Sequence, residues 1–569
     1  MRVKRILASV AGTSVVMASA VAMASPTVSF QTILNNLNGT GDSIPGTGDE
    51  FGEAGQVVVG DGGNVAVLGE LENDSDPVII YNTQNGASRN NLAIVDATAN
   101  SSDIPTMIND WGATKTSTTS LALDGLDNLA MTSNPSLGVR LSFVATSGGS
   151  VGILQADITG PTASPSSTLG DVAFDGDGQG YSLASVGGTA SGNGTFEMQV
   201  NASGQALFPA AVGGNNVLAR GDVSGVTTQF TSTTPLAVQD PGDRVALGTD
   251  NTGAAILTAS STPGIYSLAA NGSSQTKVSG TQTPAVPADL DSLLGYYSSA
   301  GNSAALWVAS AAGGQQNIEL EKNNGTPQSI LTLPVTTSSS PVSIAGEVTP
   351  SGKIALYVPD STNGDTIKYD DTSAISPLAT TVASVATPSE STLTAPASAI
   401  ALDPTASDLL IEGLQDIDNS GTPWVPEVNT GGTVVFNALV GLDSTRADDK
   451  IALLDWNPGA LSPTILIAEG DQLTIGGQDV TIDNFEAQGT PGLVPNDLSN
   501  ENDYFKNSLS DDGYLAVNVN YFLTDDPSET GTAVLLTQLT PEVPAVPEPT
   551  TLALVSLSGL TLLARRRRR

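Results

Sequence analysis

The best metal-ligand spacing in the sequence is Asp416-Ile417-Asp418-Asn419-Ser420-Gly421-Thr422, which continues through two prolines to Glu427. Calcium takes six to eight oxygens, and this spacing offers Asp416, Asp418, Ser420, the Thr422 carbonyl and a bidentate Glu427 at the twelfth place. Pro423 and Pro426 stiffen the second half, and a strand pattern rather than a helix follows at 434–436. The expectation is therefore an isolated calcium loop in a β protein, not an EF-hand. The same residues also read as an acidic surface turn between strands. Five further acidic pairs, Asp175/Asp177, Asp370/Asp371, Asp448/Asp449, Asp511/Asp512 and Asp525/Asp526, lie beside turn signals. Solvated charges there protect strand edges from pairing with other chains. A glycoside hydrolase or lyase using two carboxylates stays open as the alternative function, because that chemistry needs neither His nor Cys. With no local signature for it, no catalytic residue is assigned.

The chain has no Cys and no His, which excludes disulfides, thiol nucleophiles, Cys/His zinc sites and Ser-His-Asp triads. Among its 569 residues are 20 Lys+Arg and 58 Asp+Glu, a formal charge of −38. A nucleic-acid partner needs a basic face and is not expected.

The elements that would carry any site are short. Apolar runs such as Val65–Leu68, Val78–Tyr81, Ile354–Val358, Ile451–Leu454 and Leu515–Val519 alternate with Gly, Asn, Asp, Ser and Pro clusters. Sixty Gly and 33 Pro favour turns and discourage helix interiors. The pattern predicts an all-β repeat array over 25–541, β-propeller-like, as one ring or two halves. A turn motif recurs through it: a polar residue, Gly three positions on, then a small or bulky apolar pair at six and seven. Asn201–Phe208 and Asn429–Phe436 show it fully, and Ser167–Phe174 keeps all but the Asn. Weaker copies start at Gly60, Thr349 and Ser510. The expected form is a tight turn with Gly at positive φ, followed by a strand that buries the pair.

The two ends differ from this body. Met1-Arg2-Val3-Lys4-Arg5, an apolar run from Ile6 to Val21, and Ala22-Met23-Ala24 make a Sec-type signal peptide over 1–24, cut after Ala24. This implies passage through the Sec translocase. At the other end, Val546-Pro547-Glu548-Pro549 precedes an apolar stretch, Leu552 to Ala564, and then five arginines, Arg565 to Arg569. As a helix that stretch is ~20 Å long, short of the ~30 Å hydrocarbon core. The arginines resist transfer through lipid and hold the tail on the cytoplasmic side. A single apolar helix pausing in the inner membrane, with the body outside, is the expectation. Removing Arg2, Lys4, Arg5 and the five terminal arginines leaves 12 basic residues and a net charge of about −45. Such a surface repels acidic polymers unless cations bridge them.

The tail, 542–569, closely resembles the PEP-CTERM sorting signal of Gram-negative bacteria, whose three parts occur here in order. The resemblance implies that Pro547, Glu548 and Pro549 are recognised by an exosortase-type membrane transpeptidase. It also implies that the protein anchors transiently and is exported to the cell surface or extracellular polysaccharide. The turns resemble those of exported bacterial proteins with tandem Asn-x-x-Gly-x-x-Ala-Phe repeats, a family with no assigned reaction. Gly41-Asp42 and Ala468-Glu469-Gly470-Asp471 resemble that family's Gly-Asp segments. Together these resemblances imply an exported extracellular protein; the expectation is a non-catalytic one with no certain cofactor, calcium being a candidate on the Asp416–Glu427 spacing alone.

Overall fold

The computed structural model describes residues 28–539 apart from segments shorter than eight residues and the stretches 97–124, 184–197, 231–244, 278–292, 333–344, 372–379, 394–408, 415–425, 442–449 and 485–507. The helices expected at the two ends lie outside the described residues. Among the described residues the chain is strand throughout, with one 3-10 turn, Asp61–Gly63.

The strands form eight antiparallel sheets, met in order along the chain. We number these sheets as blades. Blade 1 spans 51–96, blade 2 125–174, blade 3 181–230, blade 4 245–277, blade 5 293–332, blade 6 345–384, blade 7 392–468 and blade 8 472–538. In blades 1, 2, 4, 5, 6 and 8 successive strands pair as an up-and-down meander, and in blades 3 and 7 one two-residue strand lies off that path. The first strand of blade 1, Phe51–Gly60, packs on the first strand of blade 2, Gly125–Asn134, and the pattern repeats around the chain. Blade 8 has four strands from its own span, Gln472–Ile475, Gln478–Asn484, Tyr514–Leu523 and Thr530–Gln538. The N-terminal strand Gln31–Asn35 adds a fifth at its edge, pairing antiparallel with Thr530–Gln538, Gln31 opposite Leu536. Blade 8 also packs on the first strand of blade 1. The ring is therefore closed by strands about 500 residues apart, the arrangement of an eight-bladed β-propeller.

The core lies between blades rather than inside any one. Ile79, Tyr81 and Val58 of blade 1 cluster with Leu141, Phe143 and Leu154 of blade 2. Tyr357 and Ile367 of blade 6 meet Phe436 and Leu454 of blade 7. Val435 and Leu453 of blade 7 meet Leu515 and Val519 of blade 8. Each such aliphatic side chain contributes ~1.5–3 kcal/mol when fully buried, so blade faces this apolar need neighbours on both sides.

Four recurring turns share one geometry. In each, the first residue and the residue four on exchange backbone and side-chain bonds. Asn201 N donates to Gln205 O at 3.0 Å, and Gln205 N donates back to Asn201 Oδ1 at 3.0 Å. Thr349 with Lys353, Asn429 with Thr433 and Ser510 with Tyr514 repeat this with distances of 2.8–3.1 Å. The first residue must thus carry a short side-chain oxygen, which is why Asn, Thr and Ser alternate there. The glycine between donates its N–H to the first residue's carbonyl, with φ of 74° at Gly204 and 92° at Gly432. The pair that follows is buried in every case, as with Phe208 and Phe436 at 0% exposure.

One copy is corrected. Ser167–Phe174 is no turn, because Ser166–Phe174 is a single continuous strand, the fourth of blade 2. Its Gly170 packs against Val223 of blade 3. The spacing matched while the backbone differs.

Candidate functional site

Each of the four turns leads into an interior strand of its sheet, and the Ser510 turn of blade 8 bonds the turns of blades 7 and 1, so all lie on one face of the ring. We call this the turn face. The described junctions between blades at Asp42 and Asp471 lie on the opposite face. On the turn face, neighbouring blades are stitched through the turns themselves. Arg140 of blade 2 donates to the Gly204 carbonyl of blade 3 at 3.3 Å, and Gln155 of blade 2 reaches the same oxygen at 3.0 Å. The Arg140 guanidinium is held in turn by both oxygens of Asp157, which raises its pKa further above the ordinary arginine value. The Tyr369 ring of blade 6 covers Gly432 of blade 7, where an added Cβ would lie 2.5 Å from its hydroxyl. The Tyr514 ring of blade 8 covers Gly63 of blade 1 in the same way. The turn glycine is thus a socket for the preceding blade as well as a bend.

The closing blade uses carboxylates instead. Asp511 Oδ1 accepts from Thr430 N of blade 7 at 3.2 Å, and Asp512 Oδ2 accepts from Gly62 N of blade 1 at 2.7 Å. Asp61 beside them has its pKa raised by burial, then by repulsion from Asp512 and Asp511.

Several of the acidic side chains singled out in the sequence are engaged in turns or strand contacts. Asp175 accepts from Val151 N and Leu183 N. Asp371 pairs with Lys353, and Asp526 caps its own turn through Ser528 N and Oγ. Asp177, Asp448 and Asp449 lie outside the described residues. Of the calcium-loop residues, Asp416, Asp418, Ser420 and Thr422 also lie outside them. Glu427 is described: it begins a two-residue strand, is 5% exposed, and its Oε2 accepts from Leu509 N of blade 8 at 2.9 Å. That bond turns one of its oxygens toward the neighbouring blade. No group of three or more acidic side chains able to hold a metal occurs among the described residues. Trp456 is a core residue, its Nε1 donating to Ala460 O and its ring 5.1 Å from Tyr369.

Sequence reasoning missed two features. The first strands of blades 3 and 7 are each split into two short pieces, Tyr181–Ser182 with Gln199–Val200, and Leu409–Gly413 with Glu427–Val428. Each half pairs with a different end of the same second strand. The calcium loop is the segment between the pieces in blade 7. The second feature is a matched pair of aspartates at blade junctions. Asp42 Oδ2 accepts from Asn35 N, and Asp471 Oδ2 accepts from Ala468 N, each at the end of an edge strand. The carbonyls of both then accept from a strand of the next blade, at Phe51 N and Ile482 N. Burial pushes both carboxyls up, Asp471 to about 6. The shared Gly-Asp dipeptide was the available signal.

The chain leaves the ring on the turn face. Thr537 Oγ1 donates to Ser29 O at 3.0 Å, so the incoming and outgoing ends lie side by side. The last described residue, Leu539, donates its N–H to Gly513 O at 2.8 Å. Pro547, Glu548 and Pro549, like the leader site at Ala22 and Ala24, lie outside the described residues.

Residues 545–569 match the PEP-CTERM protein-sorting motif. The match begins six residues after Leu539 and marks the protein as exported and sorted to the cell surface through an exosortase-type system. No curated protein matches the chain. Among solved structures, the polysaccharide lyase Uly1 is 11% identical over 53% of this chain and 72% of its own, with a TM-score of 0.31. The Aleuria aurantia lectin AAL in complex with Fucalpha1-6GlcNAc is 9% identical over 74% and 97%, with a TM-score of 0.28. A puromycin hydrolase is 13% identical with a TM-score of 0.25, and the match spans 55% of this chain and 44% of that one. Scores this low carry no argument; the fold rests on the sheet order itself.

Proposed function

With the PEP-CTERM motif as premise, we propose that this protein is a non-catalytic component of the cell surface or extracellular matrix that engages extracellular polysaccharide. The observation that carries this reading is the continuity of the sorting motif with a closed ring, in which Asp511 and Asp512 stitch blades together and Asp371 pairs with Lys353. A rigid ring presents many loops at fixed spacing, which suits multivalent holding of a polymer. Transient anchoring by the tail precedes release. The net charge of about −45 makes divalent cations the proposed bridge to an acidic polymer, and the loop holding Asp416 and Asp418 the proposed calcium site. Its second half is tied into blade 8 through Glu427, so weak binding is expected.

The test is incubation of the purified body with acidic and neutral polysaccharides, with and without calcium. Binding without release of reducing or unsaturated ends supports the reading. Turnover abolished by one Asp or Glu substitution contradicts it and installs a carbohydrate-active enzyme instead. Calorimetric calcium binding lost in Asp418→Ala supports the loop, and unchanged binding in that variant removes it.

A further inference from the structure

The chain's exit point and the length of its tether decide which way the body faces. Leu539 is pinned beside the Ser510–Gly513 turn on the turn face, next to the incoming segment at Ser29. Twelve residues, 540–551, separate it from the apolar stretch that begins at Leu552. Fully extended, they span at most ~40 Å at ~3.3 Å per residue. As a relaxed chain they span ~20 Å.

The ring is one strand tall. Tyr514–Leu523 has ten residues, about 33 Å at ~3.3 Å each. To bring the opposite face against a bilayer, the tether would have to pass outward over the edge strand Gln31–Asn35, another ~5 Å, and then climb that full height. This consumes nearly its whole contour and removes its conformational freedom. With the turn face toward the bilayer the tether need cross only the gap beneath it. We propose that the anchored protein stands with its turn face toward the membrane and the opposite face, with its junctions at Asp42 and Asp471, toward the exterior. This rests on the anchoring reading above. It goes further by assigning the outward face, which includes the 524–529 loop of blade 8, as the one free to meet a polymer before release.

The chain has no Cys, so single labels can be introduced without background. Pro458→Cys marks the turn face, since Pro458 is exposed and its ring would lie 2.9 Å from a Cβ added at Gly432. Ser528→Cys marks the opposite face on the very blade that carries the tail, and is exposed in the 524–529 loop. The full chain bearing a donor dye at one of these positions is reconstituted into phosphatidylcholine vesicles holding a headgroup-attached acceptor. The expected result is energy transfer at least twofold greater from position 458 than from 528, lost for both when the chain ends at Leu539. Equal transfer from the two positions, or more from 528, overturns the orientation while leaving anchoring intact. If the full chain does not sediment with the vesicles, the anchoring reading fails and the orientation falls with it.

Discussion

The seam between blades 2 and 3 and the seam where the ring closes hold the same kind of turn by different chemistry. At the first, a guanidinium from one blade grips the glycine carbonyl of the next and is itself gripped by Asp157. At the second, carboxylates of blade 8 take backbone N–H groups from blades 7 and 1, with Asp61 repelled nearby. The cationic seam is enclosed, Arg140 being 5% exposed, whereas Asp511 and Asp512 are exposed. The turn motif is thus a backbone device open to either charge. The enclosed guanidinium brings its own counter-ion, and at the closing seam Asp511 and Asp512 stay in water. Closure then depends on strand pairing more than on electrostatics.

That contrast can be broken in graded steps. Asp157→Ala leaves the Arg140 charge enclosed and unpaired; single loss of a buried partner costs ~3–5 kcal/mol, and with Asp157 about a quarter exposed the lower end is expected. Denaturant unfolding checks it, and a loss under 1 kcal/mol would show the pair to be ornamental. Gly432→Ala follows, costing ~1–2 kcal/mol for a non-glycine residue at positive φ, with further loss from the contact with Tyr369. Asp512→Ala is milder at ~1 kcal/mol, since its acceptor role toward Gly62 is played out in solvent. Asp512→Asn keeps an acceptor, relieves Asp61 and should cost less than the alanine variant.

The matched junction aspartates give a pH test. Asp471 titrates near 6 in the folded chain against 3.8 as its ordinary value. Between those values the folded state binds more protons than the unfolded state, so stability falls as pH rises from about 4 to about 6. Asp471→Asn should therefore raise the midpoint temperature at pH 7, leave it unchanged near pH 4, and flatten the slope between. A variant whose midpoint shifts equally at both pH values would show that Asp471 acts through geometry rather than charge.

The turns and the tail were legible in the sequence because each is local. An oxygen-bearing side chain four residues before its backbone partner, and a Pro-Glu-Pro before an apolar run, need no distant partner to be read. Even so, Ser167–Phe174 carried the turn spacing inside a strand, since a glycine within an extended strand leaves the same mark as one at positive φ. The closure could not be read. Gln31–Asn35 looks like any short strand until Thr530–Gln538 is placed beside it. The split first strands were hidden for a related reason. Two residues such as Glu427–Val428 carry no periodicity, and only their pairing with Val434 and Val435 makes them a strand. Glu427 shows the consequence: spacing grouped it with a calcium loop, while the fold ties it to Leu509 of the next blade.

The account turns on a ring delivered to the exterior and freed of both ends. Intact-mass measurement of the protein recovered from the culture medium or cell surface tests this directly. The predicted species begins at Ser25 and ends near Pro547–Pro549, without Arg565–Arg569. A full-length chain recovered from the cytosol, with Met1 and the arginine cluster intact, would contradict it.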